Sequence, residues 1–209
     1  MRLPTPAEIR ALHERHAPSE ELFDLVHTHC EAVWAIAEEL LGAPGAEAGV
    51  DRELVRVGCL LHDVGVYRLY DASGRRVHES YLLHGVLGHE LLRDEGLPEE
   101  LSRFCSRHTG VGLTRRDIQA QKLPLPADDY VAVTVEERLV MYADKFHSKT
   151  TPPRFLTADA YAAEIRRFGE DKAVAFAGLR AEFGEPDVHA QARALGHAVK
   201  SLAPPEATG

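Results

Sequence analysis

Apolar residues along this chain recur at spacings of three and four, and no segment alternates convincingly, so the pattern predicts an almost wholly helical, all-α protein. Ser19 opens the first strong helix over 19–41, which stops at Gly42 with Pro44 just beyond. Residues 42–49 (GAPGAEAG) read as a loop. A second helix is expected over 51–64, with Gly65 marking its end, and 71–76 (DASGRR) reads as a turn. Helices follow over 79–95 and 98–108. Residues 110–129 form a long irregular connection, and loops of that length are usually functional. Thr134 and Glu137 make a capping-box sequence opening a helix that runs to about residue 147. Three weaker helices fill 157–202, and the tail APPEATG is expected to be disordered. The spacing of these elements implies one domain over 19–150, an N-terminal extension over 1–18 and a C-terminal helical layer over 151–209.

The phase of the polar residues on these helices matters more than their number. Leu22, Val26, His29, Val33, Ile36 and Leu40 form an apolar ladder in which His29 occupies a rung. His27 falls with Glu20, Asp24, Glu31 and Glu38 on the opposite, wet face. A lone histidine on such a ladder is better explained as a hydrogen-bonded core residue than as a ligand. His29 is not alone. His62 and Asp63 end a nearly continuous apolar run, where two adjacent polar groups are costly unless paired or coordinating metal. His84 is in register with Leu87, Gly88 and Leu91, and His108 with Leu101, Phe104 and Cys105. Asp144 follows Val140 and Met141 by four and three positions. A shared metal site explains all these inward residues together, whereas separate core hydrogen bonds require a coincidence at each.

Composition narrows the field. With 44% hydrophobic and 27% charged residues, the chain is neither disordered nor fibrous. No apolar run approaches the roughly 18 residues of a membrane span, and the charged N-terminus lacks the apolar centre of a signal peptide, so the cytoplasm is the expected address. A net charge of −9 disfavours a nucleic-acid polymer as partner, while a small phosphorylated ligand stays compatible because metal ions reverse the local field. Cys30, Cys59 and Cys105 show no CxxC spacing and are expected to be buried, reduced thiols. Twelve histidines are more than packing explains.

The order His29, His62-Asp63, His84, His108, Asp144, with LLHDVG around the doublet and HGVLGHELL around His84, resembles the HD-domain metal-dependent phosphohydrolase superfamily from about Val26 to Lys149. The resemblance implies an HD-type helical array. It also implies one metal held by His29, His62, Asp63 and Asp144, and a second held by His84 and His108 with Asp63 as the bridge. The cofactors would then be two divalent transition metal ions drawn from Fe, Mn, Co, Ni or Zn. No GYP motif and no paired histidine follows His108, which disfavours cyclic-di-GMP hydrolysis. The implied activity is phosphate-ester hydrolysis by a metal-bound hydroxide on a nucleotide or another small phosphate ester. A related ligand set serves mixed-valent di-iron oxygenases that cleave a C–C or C–P bond, and a non-catalytic regulatory module is a third reading.

Around the ligands, Asp63 and Lys145 are the candidate catalytic residues. Lys145, Lys149, Arg107 and His78 are candidates for substrate contact. For Lys149 and Arg154 a solvated cationic helix end is the competing reading, and for Arg75 and Arg76 an exposed turn. His147, one turn beyond Asp144, is expected beside the ligands. His89 and Trp34 read as packing residues, and His13, His16, His189 and His197 as surface residues.

Overall fold

The ladder on the first long helix is buried from Val26 to Leu40, with Leu22 at its start half-buried, and the rest of the molecule is arranged around it. The computed structural model describes residues 2–43 and 49–202; part of the 42–49 loop and the whole APPEATG tail lie outside the described residues. Helix α2 (Glu20–Leu41) is capped by the Ser19 hydroxyl, which accepts the Leu22 N–H, and it stops at Gly42. Val26, His29, Val33, Ile36 and Leu40 are all buried.

Ahead of it, the stretch read as an extension forms a helix, α1 (Pro6–His16), opened by a Thr5/Glu8 capping box with Pro6 in its first turn. Its inward residues Ile9, Leu12 and His13 are buried, and α1 rests on α2 and on the 64–69 segment. Two expectations fall with that contact. His13 is fully buried rather than on the surface, and His27, placed by phase on the wet face, is only 9% exposed because α1 covers that side of α2.

Helix α3 (Arg52–Leu61) begins at its Asp51 cap but ends earlier than periodicity predicts, with His62 as its C-cap. Asp63 follows, and a 3-10 segment covers Val64–Leu69. Gly65 does not serve as a helix terminator. It is the point of closest approach to α4 (His84–Asp94): a Cβ built on Gly65 would lie 1.9 Å from the His84 carbonyl oxygen and 2.3 Å from the Gly88 nitrogen. No side chain larger than hydrogen fits, and that approach brings His84 up to Asp63. The helix expected from 79 begins instead with a 3-10 turn at Tyr81–Leu83.

Helix α5 (Glu99–Ser106) follows Pro98. The connection expected to be irregular holds a short helix, α6 (Arg115–Gln121), with its own Thr114/Asp117 capping box. The predicted Thr134/Glu137 capping box opens α7 (Val135–Ala143), and a 3-10 turn, Asp144–Phe146, carries the chain on.

The C-terminal part contains α8 (Ala158–Ile165), α9 (Glu170–Phe183) and α10 (Val188–Leu195). Contrary to the strandless expectation, it also contains β1 (His147–Ser148), β2 (Arg154–Leu156) and β3 (Ala198–Lys200). β1 pairs antiparallel with β2, and β2 pairs parallel with β3. Strands of two and three residues are too short to show a period of two, which is why the sequence pattern missed them. Tyr142 on α7 packs on Phe146, Phe176 and Phe183 with ring centroids 4.9, 5.6 and 5.9 Å apart, tying α9 to the domain. Each such fully buried aromatic contributes on the order of 2 kcal/mol from burial. The three cysteines are buried and unpaired, and no described helix is long and apolar enough to cross a membrane.

Candidate metal centre

Four helix ends converge on Asp63. His62 and Asp63 terminate α3, His84 begins α4, His108 lies just beyond α5, and Asp144 caps α7. His29 enters from the middle of α2. The structure therefore brings together all six residues singled out from the sequence, four by helical phase and the His62-Asp63 doublet by the apolar run before it. The rings of His29, His62, His84 and His108 and the carboxylate of Asp63 are buried, while Asp144 is slightly open, its side chain 15% exposed.

The geometry divides into two halves. On one side, His29 Nε2 lies 3.2 Å from His62 Nε2, 3.0 Å from Asp144 Oδ1 and 3.3 Å from Asp63 Oδ2. On the other, His84 Nε2 lies 2.9 Å from His108 Nε2, and these nitrogens stand 3.5 and 3.7 Å from Asp63 Oδ1. Each carboxylate oxygen of Asp63 thus faces one histidine pair. Neither makes a hydrogen bond of ordinary geometry, although both atoms are fully buried. A carboxylate left in this way costs several kcal/mol unless positive charge sits beside it. His62 and Asp144 with His29 make one donor set, and Asp63 and His108 with His62 another, with ligand atoms close enough to share an ion.

The other ring nitrogens show why every Nε2 points inward. His62 Nδ1 bonds the Cys59 carbonyl at 2.7 Å, His84 Nδ1 that of Tyr81 at 2.6 Å, and His108 Nδ1 that of Phe104 at 3.0 Å. A carbonyl only accepts, so each Nδ1 carries the proton and each Nε2 offers a lone pair to the centre, the arrangement usual for imidazole ligands. His29 differs: its Nδ1 lies 2.9 Å from Nδ1 of His147.

Electrostatics keeps these donors in ligand form. Burial pushes His29 down to about 4, with the Lys149 charge adding to the effect. Burial also lowers His84, and it lowers His108 well below the usual range, helped by the neighbouring His62 and His84 rings. For Asp63 burial acts to raise the pKa, but Lys149 and the rings of His62, His84 and His29 outweigh it and hold the carboxyl well below its ordinary value. Asp144 is held low in the same way, chiefly by the Lys145 charge, with the adjacent His29 and His62 rings adding to it. Neutral imidazoles around ionised carboxylates are the donor chemistry of a borderline divalent cation.

The residues proposed from sequence for substrate contact separate clearly. Lys145 is buried, its ammonium donating to the His108 carbonyl at 2.8 Å and to Asp144 Oδ2 at 2.6 Å. Lys149 is not a solvated helix end. Its ammonium is paired with Asp63 and lies 5.9 Å from the centre of the Tyr81 ring. Arg107 points away from the centre to Glu137, 3.3 Å distant, which Arg103 also binds, so its place in the fold is a salt-bridge network behind α5. His78 makes no ring hydrogen bond to the centre among the described residues; its backbone carbonyl accepts from Arg76. Arg75 pairs with Asp71 in the predicted exposed turn, and His89 bonds Ser106. Sequence reasoning missed His197, which packs on His147 rather than lying free on the surface.

A cleft of about 390 Å³ opens beyond Asp144, lined by Tyr81, Lys145, Ser148, Lys149 and Tyr161 among others. A smaller one of about 150 Å³ reaches His84 and His108 past Thr109 and Gly110. Both share Tyr81, Asp144, Lys145 and Lys149, so the centre is approached past two ammonium groups.

The chain is similar to several known proteins. A sequence model of the HD domain matches residues 26–149. The chain is 41% identical over 117 residues to an uncharacterized protein of Methanocaldococcus jannaschii, covering 56% of this chain and 62% of that one. It is also 35% identical over 130 residues to a tRNA (cytidine(56)-2'-O)-methyltransferase of Picrophilus torridus, covering 62% of this chain but 33% of the relative. The chain thus matches 62% or less of the length of these curated relatives. Its fold is similar to the HD domain of the L. monocytogenes phosphodiesterase PgpH, with a TM-score of 0.51 at 16% identity over 93% of this chain and all of that domain. The same domain has been solved in complex with cyclic-di-AMP, again with a TM-score of 0.51 and 16% identity, over 92% of this chain and 99% of that one.

Proposed function

This chain belongs to the HD-domain family, and from that premise we propose that it is a metal-dependent phosphohydrolase acting in the cytoplasm on a nucleotide or another small phosphate ester. The observation that carries the reading is Asp63: a fully buried carboxylate whose two oxygens each face a separate pair of imidazole nitrogens, with the Lys149 ammonium as its one charged partner among the described residues. In this reading His29, His62, Asp63 and Asp144 hold one divalent transition metal ion, and His84, His108 and Asp63 hold a second. Such ions, when bound, lower the pKa of water and offset charge on phosphoryl oxygens.

The remaining work falls to the protein. Lys145 and Lys149, at the point where the two clefts meet, receive and orient an anionic group. Their ammonium groups are held by Asp144 and Asp63, which fixes them in place before substrate arrives. Tyr81, whose ring lies 4.4 Å from that of His84, walls the entrance and restricts water at the centre. A cleft of about 390 Å³ suits one small ester, and that a domain of the same fold is a phosphodiesterase solved with a cyclic dinucleotide supports phosphate-ester chemistry. Residues 19–150 serve as the metal-binding unit, with the flanking segments built onto it.

Metal analysis of the purified chain, run beside a phosphate-release screen over nucleotides, cyclic nucleotides and sugar phosphates, tests the proposal. The expected result is up to two transition metals per chain and chelator-sensitive phosphate release. No binding of Mn, Fe, Co, Ni or Zn on reconstitution overturns it. Oxygen consumption with no activity under anaerobic conditions would move the centre to the di-iron oxygenase reading.

A further inference from the structure

His29 does not end its hydrogen bonding on a backbone carbonyl as the other three inward histidines do. Its Nδ1 meets His147 Nδ1 at 2.9 Å, and His147 Nε2 meets His197 Nδ1 at 3.1 Å. The three rings lie in series, with centroids 5.2 Å apart at each step and interplanar angles of 31° and 25°. His29 and His147 are buried and His197 is half-buried, so the row runs from the centre toward the outside of the protein. The small sheet holds it in register. His147 is in β1, it is paired with Phe155 of β2, and Phe155 is paired with Val199 of β3, two residues beyond His197.

A neutral imidazole carries one proton, so a row of such rings has only two consistent orders. In one, His197 donates to His147, His147 to His29, and the His29 proton sits on Nε2, aimed at Asp144 Oδ1 at 3.0 Å. In the other, His29 carries its proton on Nδ1 and donates to His147, His147 donates through Nε2 to His197, and the Nε2 lone pair of His29 is free. Only the second order lets His29 ligate a metal. Both orders hold the same number of protons, so no change of charge is involved.

We propose that His147 and His197 are positioning residues that select the tautomer of His29 and thereby set the metal affinity of the centre. This rests on the metal reading above. It also extends the functional unit beyond the matched segment, because His197 lies outside residues 26–149.

Cobalt(II) titration of the purified, chelator-stripped chain, followed by its visible absorption in competition with a chelator, tests this. His147→Phe keeps an aromatic ring in the site but accepts nothing, and Co²⁺ affinity should fall about 10–100-fold, the range for lost partners of metal-bound histidines. His147→Asn restores an oxygen acceptor for His29 and should recover most of the loss. His197→Ala should weaken binding by about 10-fold, with His197→Asn returning it toward wild type. In zinc-loaded protein, ¹⁵N resonances should report His147 protonated on Nε2. A merely structural role would lower thermal stability of the stripped protein and leave the affinity of the folded fraction unchanged. Should His147→Phe fail to fold, the half-buried His197 pair carries the test. Wild-type affinity in folded His197→Ala, or His147 protonated on Nδ1 with zinc bound, overturns the proposal. Failure of the wild-type chain itself to bind Co²⁺ overturns both this and the reading beneath it.

Discussion

His13 and His29 are both completely buried, lie on consecutive helices and have pKa values depressed to about 4, yet they are built for opposite ends. His13 spends both ring nitrogens inside the protein, Nδ1 on the Tyr67 hydroxyl and Nε2 on the Leu60 carbonyl, each at 2.7 Å. His29, His62, His84 and His108 spend only Nδ1 on an outer partner and bring every Nε2 to one carboxylate. Depth of burial and pKa do not tell the two networks apart. What does is whether the polar atoms balance: around His13 each donor has an acceptor, whereas around Asp63 ring nitrogens face each other at hydrogen-bond distance and four imidazole lone pairs share one carboxylate and one ammonium, that of Lys149. The first network is closed and structural. The second offers a donor set that could hold metal ions.

The sharpest way to break that contrast is to neutralise Asp63. Asp63→Asn keeps the shape and removes the charge from the carboxylate whose two oxygens face the two halves. One metal should be lost and phosphate release should fall about 10²-fold or more, while the helices that bury the segment stay folded. Metal stoichiometry, thermal unfolding and phosphate release on one preparation decide it. Full activity in folded Asp63→Asn protein would sink the two-halves reading.

Next in size is the exchange between the networks. His13→Ala leaves a cavity and strands the Leu60 carbonyl and Tyr67 hydroxyl, and should cost about 2–4 kcal/mol of stability with metal content unchanged. His29→Ala should do the reverse, abolishing tight metal binding with a smaller effect on the stability of metal-stripped protein. Chemical denaturation of both variants, each with and without chelator, separates the two. If the losses coincide, the networks are one unit and the distinction fails.

Much of this centre was legible from helical phase. The positions of His29, His84, His108 and Asp144 each follow from apolar neighbours three and four residues away, and the His62-Asp63 doublet from the apolar run before it. What escaped depends on partners distant in the chain. His27 is polar by phase on α2 and is buried only because α1 covers it. The signal for α1 was present in Thr5-Pro6-Ala7-Glu8, a capping box with proline in the first turn, but the many charges on that stretch masked it. The 3-10 turn at Asp144–Phe146 changes the pitch after α7, so a helical extrapolation from Asp144 cannot place Lys149 against Asp63. His197 meets His147 only through a sheet too short to leave a pattern. Arg107 is the C-cap of α5, one residue before His108, and only the Glu137 salt bridge shows which way it turns.

A smaller effect sharpens the comparison through pH. Burial holds His13 at about 4 against an ordinary 6.5, so between those values the unfolded chain binds a proton that the folded chain refuses. Stability from this residue is therefore fully present above pH 6.5 and is lost as pH falls toward 4, by about 3 kcal/mol at most. The depressed histidines of the metal centre give a slope of the same sign, so the useful quantity is the difference between wild type and His13→Ala. In metal-stripped protein the variant should show the shallower loss on acidification, read from denaturation midpoints across that range. Identical slopes would mean that His13 is not held neutral by its two bonds.

The smallest expected effect belongs to His27, two residues from His29 and on the α1 side of α2. Its ring stacks on Phe23 with centroids 5.0 Å apart and an interplanar angle of 17°, and it meets His13 edge-on at 5.2 Å. Its Nδ1 is 3.5 Å from Glu31, an exposed residue, so the ring bridges the α1 contact and the solvent. Helical phase alone would make His27→Ala silent. Burial makes it cost about 1 kcal/mol, the worth of an aromatic pair beyond its area. Metal stoichiometry and phosphate release should be those of wild type, because no atom of the ring reaches the centre. Loss of metal in His27→Ala, with His29→Ala retaining it, would show that α2 turns its other face to Asp63 and that the two networks have been assigned the wrong way round.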